Sequence, residues 1–152
     1  MKDFNNNLCN GVAFRKYFPG ATPQDMLHYG EHILKKDKPD TVIIHSGTNS
    51  LNTDDVDTIT SNVLNQVNMC REMDVNNIII SSMTYRHQFQ NKVDLFSKFF
   101  LAKQHVNPFF TFIPNANISS YDICHDRIHL NFKGVIKLAN NFLDVVNRVD
   151  SL

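Results

Sequence analysis

The stretch Thr41-Val42-Ile43-Ile44-His45-Ser46-Gly47-Thr48-Asn49 decides the fold class. Its first four residues are all β-branched, and the apolar ones run consecutively rather than alternating with polar ones. A strand of that kind is covered on both faces, as in a parallel sheet held between helical layers. Gly47 then permits a tight turn and a close backbone approach. Asn49, just beyond it, can aim a side-chain NH₂ at a developing oxyanion. On this tripeptide alone, an ordinary Asx-type turn into a helix is the simpler account. Ser46 and Gly47 would form the edge of any pocket at this strand's carboxyl end.

The same pattern recurs along the chain. Ile78-Ile79-Ile80 predicts a second buried strand and Phe109–Ile113 a third, while Ala13–Tyr17, before the Pro19-Gly20 turn, is a weaker candidate. Helical spacing fills the intervals. Val56, Ile59, Val63, Val67 and Cys70 step by three and four, with Asp54 and Asp55 placed to favour the first turn. Val93, Phe96 and Phe100 mark another helix, and Val135, Leu138, Phe142, Val145 and Val149 mark the last. An earlier helix begins at Thr22-Pro23, a cap followed by a proline suited to the first helical position. Strands alternating with helices predict a single α/β domain over residues 1–152, with a three-layer α/β/α build and a flavodoxin-like parallel sheet. Ligands in such sheets bind beyond the strands' carboxyl ends. The segments to inspect are therefore Phe18–Thr22, Ser46–Leu51, Ser81–His87 and Pro114–His129.

Bulk properties narrow the functional classes. The 152 residues fit one core, and Lys+Arg and Asp+Glu balance at 15 each. Zero formal charge argues against a nucleic-acid footprint, although Lys35, Lys36 and Lys38 make a small basic run suited to a solvated helix end. Three widely spaced cysteines (Cys9, Cys70, Cys124) without a C-x-x-C argue against a disulfide framework and make a reducing, cytoplasmic setting the default. No apolar run approaches the roughly 18 residues needed to cross a bilayer, and the first residues do not read as a signal peptide.

Two further loops carry candidate chemistry. In Phe18-Pro19-Gly20-Ala21-Thr22, Gly20 could offer a backbone N–H near a helix N-terminus, although on this segment alone a plain turn and cap is the simpler account. In Asp126-Arg127-Ile128-His129, an acid three residues before a histidine can hold Nδ1–H and leave Nε2 as a general base, although a surface acid near a helix start and a histidine in an ordinary polar contact explain the spacing equally. His125 and His129, with Cys124 and Asp126 nearby, invite a zinc reading. A zinc site needs three or four converging ligands, and a loop does not bring these residues together in that way, so no metal or other cofactor is expected. The remaining histidines, including His45 near the expected pocket, show no partner pattern. The loop Thr84–Asn91, with Tyr85, Arg86 and His87, is placed where it could choose a substrate.

Taken together, Phe-Pro-Gly-Ala-Thr at 18–22, Pro-Asp-Thr-Val-Ile-Ile-His-Ser-Gly-Thr-Asn at 39–49 and Asp-Arg-Ile-His-Leu-Asn at 126–131 resemble the SGNH (GDSL-like) hydrolase superfamily. The resemblance runs from about residue 11 to residue 145 and is nearest to small esterase-like domains of invertebrate proteins and retrotransposon reading frames. It implies hydrolysis of an ester, thioester or acetyl group on a small-molecule substrate through a Ser–His–Asp triad, without metal or membrane. Position by position, it makes Gly20 and Asn49 oxyanion-hole donors, Asp126 the orienting acid and His129 the base.

The family's first block, an apolar strand ending in Gly-Asp-Ser, has no counterpart in this sequence. The resemblance places it just before Met1, so the nucleophile is unassigned and the chain reads as N-terminally truncated. The family's strand order would put that strand centrally, between 13–17 and 41–45. Ser46, Ser50, Ser81 and Ser82 lie near the pocket, but none falls on the sharp strand-to-helix turn that exposes a nucleophile. Losing the nucleophile alone costs on the order of 10⁶ in a well-studied triad, so the chain alone is expected to be a very poor esterase. The competing expectations are a non-catalytic esterase-like domain that binds a ligand, protein or RNA, and a fragment that does not fold.

Overall fold

The computed structural model describes Ala13, Lys16 and residues 18–150. Four helices and three strands alternate: α1 (Pro23–Asp37), β1 (Thr41–Ile44), α2 (Val56–Glu72), β2 (Asn77–Ser81), α3 (Gln90–Gln104), β3 (Thr111–Ile113) and α4 (Phe132–Asp150). The strand expected at 13–17 falls largely outside the described residues.

The three described strands form one parallel sheet in the order β1-β2-β3. Ile43 pairs with Ile79 and Ile79 with Thr111, while Ile44 pairs with Ile80 and Ile80 with Phe112. Because side chains alternate across a strand, each consecutive apolar run divides between two cores. Ile44, Ile78, Ile80 and Phe112 pack with Ile59, Val63, Val67 and Cys70 of α2 and with Val93, Phe96 and Phe100 of α3. Ile43, Ile79 and Ile113 face Phe142, Val145, Val146 and Val149 of α4. The result is helices α1–α3, then the sheet, then α4: the expected three-layer α/β domain. Among the described residues, no helix is long and apolar enough to cross a membrane.

Local chemistry explains the element boundaries. Thr22 caps α1 in a reciprocal box with Asp25, whose carboxylate accepts from the Thr22 backbone N–H at 2.8 Å while Thr22 Oγ accepts from the Asp25 N–H at 3.2 Å. Asp55 caps α2 through the Thr58 N–H at 2.7 Å. α1 ends at Lys38, which takes a left-handed conformation (φ 43), and Lys35 of the basic run pairs with Glu31 at 2.6 Å. The third strand starts two residues later than its apolar run suggests. Asn107 Oδ1 accepts the Phe109 N–H at 3.0 Å, and the guanidinium of Arg71 lies 3.3 Å from the Phe109 ring centroid, so Phe109 belongs to the turn.

Candidate active site

The loop after β3 carries the acid and the base. Ile123 and Leu130 form an isolated antiparallel bridge, Cys124 N–H donates to the His129 carbonyl at 2.7 Å, and Arg127 N–H donates to the Cys124 carbonyl at 3.0 Å. Inside this closed turn, His129 Nδ1 lies 2.6 Å from Asp126 Oδ2. Asp126 Oδ1 accepts the backbone N–H groups of Ile128 and His129, both at 2.9 Å. The carboxyl is held down to about 2, first by the His129 side chain and then by those two N–H groups. An ionised Asp126 fixes Nδ1 as the protonated nitrogen and leaves Nε2 free to take a proton. The His129 side chain is 77% exposed, so that nitrogen is open to an incoming reactant.

The loop is fastened to α4 at several points. Asn131 caps the helix, accepting the Gly134 N–H at 3.0 Å, and donates to the Tyr121 carbonyl at 2.8 Å. Lys137 Nζ lies 2.8 Å from the buried carboxylate of Asp122 and donates to the Asn117 carbonyl at 3.0 Å. Gly134 is needed here because a Cβ would sit 2.4 Å from the Asp122 carbonyl oxygen.

The expected oxyanion loops assemble separately. Gly47 adopts φ 116, and a Cβ there would meet Ile59 at 3.1 Å and Met83 at 3.2 Å, so glycine is required for both conformation and packing. Thr48–Ser50 then form a 3₁₀ turn. Asn49 donates its side-chain N–H to the Ala21 carbonyl at 2.9 Å, which joins this turn to the Gly20-Ala21 loop, where Gly20 also has positive φ (74). Gln66 of α2 completes the junction, donating to the Pro23 carbonyl at 3.2 Å and to Ser46 Oγ at 3.0 Å. Asn49 and Gly20 are thus brought together, and Ser46 and Gly47 lie at the same edge. Among the described residues, no hydrogen bond joins either loop to the Asp126–His129 turn.

The serines weighed as nucleophiles are occupied or enclosed. Ser46 Oγ is bonded to Gln66, while Ser50, Ser81 and Ser82 are fully buried. Among the described residues, no hydroxyl is hydrogen-bonded to His129. His125, Cys124 and Asp126 form no metal cluster with it, and no group of three potential ligands occurs among the described residues.

A polar network at the strand ends has no counterpart in the sequence reading. Ser81 Oγ lies 2.9 Å from His45 Nδ1 and accepts from Asn115 Nδ2 at 2.8 Å. Asn115 Nδ2 also donates to the Ser82 carbonyl at 2.7 Å, and its Oδ1 accepts from Asn141 of α4 at 2.9 Å. Protein crowds the His45 ring on its sheet side, and that desolvation lowers its pKa; an edge left open to solvent limits how far. The Ser81 hydroxyl also donates to the Ser82 carbonyl at 3.2 Å. Apart from that neighbouring pair, the partners lie 26 to 36 residues apart in the chain. The only sequence signal was their place beyond a strand.

The fold has close parallels among solved structures. An acetyl esterase, crystallised as a mutant with acetate, superposes with a TM-score of 0.76 at 17% identity, over 86% of this chain and 68% of that one. The fold is that of the SGNH hydrolases. A carbohydrate esterase of family 3 from Talaromyces cellulolyticus matches with a TM-score of 0.75 at 15% identity, covering 95% of this chain and 78% of its own. An acetylxylan esterase from Geobacillus stearothermophilus gives 0.69 at 18% identity, over 84% and 68%. No protein-family model and no curated protein matches the sequence. The likeness to these esterases is therefore one of fold, carried by the backbone at 15–18% identity.

Proposed function

We propose that this chain carries the base, orienting and oxyanion parts of an SGNH-type serine esterase acting on a carboxylic ester or acetyl group. We further propose that it turns over very slowly alone, because no serine among its described residues engages His129. The observation that carries this reading is the Asp126–His129 pair, with Nδ1 held at 2.6 Å and Nε2 free. In that role His129 removes the proton of the attacking hydroxyl and returns it to the departing alkoxide, while Asp126 stabilises the intervening imidazolium. Gly20 and Asn49 are the assigned oxyanion donors. Since Asn49 donates one N–H to Ala21, its second amide hydrogen is the one available to a ligand.

The test is p-nitrophenyl acetate hydrolysis by two lengths of the polypeptide: this chain, and one extended upstream through a Gly-Asp-Ser block where the transcript encodes it. The reading expects activity only in the longer form, abolished by His129→Ala. Two folded, inactive polypeptides would sink it and turn attention to a binding role.

A further inference from the structure

The turn that carries Asn49 runs from the end of β1 to the cap of α2, and a side chain from α3 holds it midway. Ser50 N–H donates to the Gly47 carbonyl at 3.0 Å, and the Ser50 carbonyl accepts from Asp54 at 2.8 Å and from Thr53 at 3.2 Å. The Leu51 and Asp54 carbonyls both accept from Lys92, whose Nζ lies 2.7 Å from the first and 2.8 Å from the second. These partners are 41 and 38 residues away from it in the chain. Hydrogen bonds from an ammonium group are charge-assisted and stronger than neutral ones.

Lys92 stands where its charge is locally unfavourable. It is the third residue of α3, whose first turn contains no acid and whose start has no side-chain cap. A cation there opposes the helix dipole, whose positive end favours acids. The two carbonyls and the Phe89 ring, 5.8 Å from Nζ, supply the negative partners that the helix does not. A residue that breaks a local rule and gains distant partners points to what it does at those partners. Here that is to fix the 48–54 turn against α3.

The turn has a second tie at Asn49 itself, whose amide donates to the Ala21 carbonyl at 2.9 Å. Ser50 and Leu51, between the two ties, are buried. The segment is thus braced between α3 and the Gly20-Ala21 loop. An oxyanion donor works by being in place before the charge develops, and a misplacement of about 1 Å can cost on the order of 10²-fold in rate.

We propose that Lys92 is a positioning residue for Asn49. Its grip on the Leu51 and Asp54 carbonyls keeps the Asn49 amide bonded to Ala21 and its second N–H available to an oxyanion. The catalytic meaning rests on the esterase reading, but the positioning is measured on this chain alone.

The Asn49 side-chain amide resonances, and their exchange with water, are followed in ¹⁵N-labelled protein. In Lys92→Met the resonances should shift, and exchange of the hydrogen bonded to Ala21 should rise ~10-fold, as for the loss of one hydrogen bond. Lys92→Arg, which keeps the charge and several donors, should restore the parent values. Lys98→Met, which removes an exposed lysine from the same helix, should leave them unchanged. Thermal melts establish that each variant folds, and Lys92→Gln replaces Lys92→Met where the latter does not. Unmoved Asn49 resonances in a folded Lys92→Met or Lys92→Gln protein overturn the proposal. In a length of the polypeptide that hydrolyses p-nitrophenyl acetate, Lys92→Met should lower kcat on the order of 10²-fold with KM unchanged. It should lower kcat no further once Asn49 is replaced by alanine. Equal losses with and without Asn49 also overturn the proposal, since Lys92 would then act independently of it. Shifted resonances with no hydrolysis by any length refute the esterase reading and leave the positioning role of Lys92 standing.

Discussion

Asn115→Asp is the most discriminating perturbation of this structure. Asn115 is 5% exposed and has φ 54, a left-handed conformation that asparagine and aspartate tolerate. The substitution therefore keeps backbone and volume, and retains an acceptor for Asn141. What changes is the atom facing the Ser82 carbonyl and Ser81 Oγ, from a donor at 2.7 and 2.8 Å to an oxygen. Two buried hydrogen bonds are lost at about 1 kcal/mol each, and the repelled Ser82 carbonyl adds about 1–2 kcal/mol. The expected loss at pH 7 is ~3–4 kcal/mol, out of a total of about 5–15 kcal/mol for a domain of this kind.

The pH dependence supplies the decisive sign. Burial against a carbonyl disfavours the carboxylate, so the folded-state pKa of the new acid rises above its unfolded value of about 4. A group shifted in that direction contributes its stability fully below the unfolded pKa and loses it as pH rises through the folded one. The protonated acid can also donate to Ser82. Relative to the parent, the variant should regain ~1–2 kcal/mol between pH 7 and pH 4. Urea unfolding at the two pH values measures this. A loss below about 1 kcal/mol at pH 7, or no relative recovery on acidification, would refute the account of the network.

Three further outcomes are expected. The Asp126 carboxyl should titrate near 2 in a ¹³C NMR experiment, and His129→Ala should move it back toward 3.8; because its folded pKa is depressed, its stabilising contribution is present above the unfolded value and lost as pH falls through about 2. Gly134→Ala should destabilise by ~1 kcal/mol in a thermal melt, since crowding against the Asp122 carbonyl outweighs a helix-propensity gain of about 1 kcal/mol; a stabilised variant would show that the loop does not press on α4. In a Cys9→Ser background, thiol reagents at pH 8 should label exposed Cys124 quickly and Cys70 only on unfolding, because burial pushes the Cys70 thiol up to about 11.

The fold was legible wherever burial imposed a pattern on consecutive residues. Ile78-Ile79-Ile80 could only serve a strand packed on both sides, and Ile79 and Ile80 do face different cores. Helix starts were legible where the cap is local, as at Thr22 and Asp55. The Asp126–His129 contact was legible for the same reason, since its partners are three residues apart. What the sequence did not disclose depends on distant partners. His45 gave no sign of meeting Ser81, nor Asn115 of joining β2 to α4. Arg86 stood in a flagged loop, but only the folded chain shows a guanidinium nitrogen enclosed without an acceptor. Phe109 read as strand because apolar content is visible in a sequence and a cation stacked on its ring is not.

The closed turn at 123–130 separates two properties that an active site usually sets together. The ionisation of Asp126, and through it the tautomer of His129, is set by contacts within four residues, so both travel with the turn. Its position is determined by Asn131, Lys137 and Gly134, which moor the turn to α4. A shift of that helix against the sheet would carry acid and base as one rigid cassette, changing their distance from Asn49 and Gly20 while leaving their mutual hydrogen bond in place. Mutations along α4 should therefore act as a positional dial on such a site, altering rate while the Asp126–Nδ1 contact stays intact.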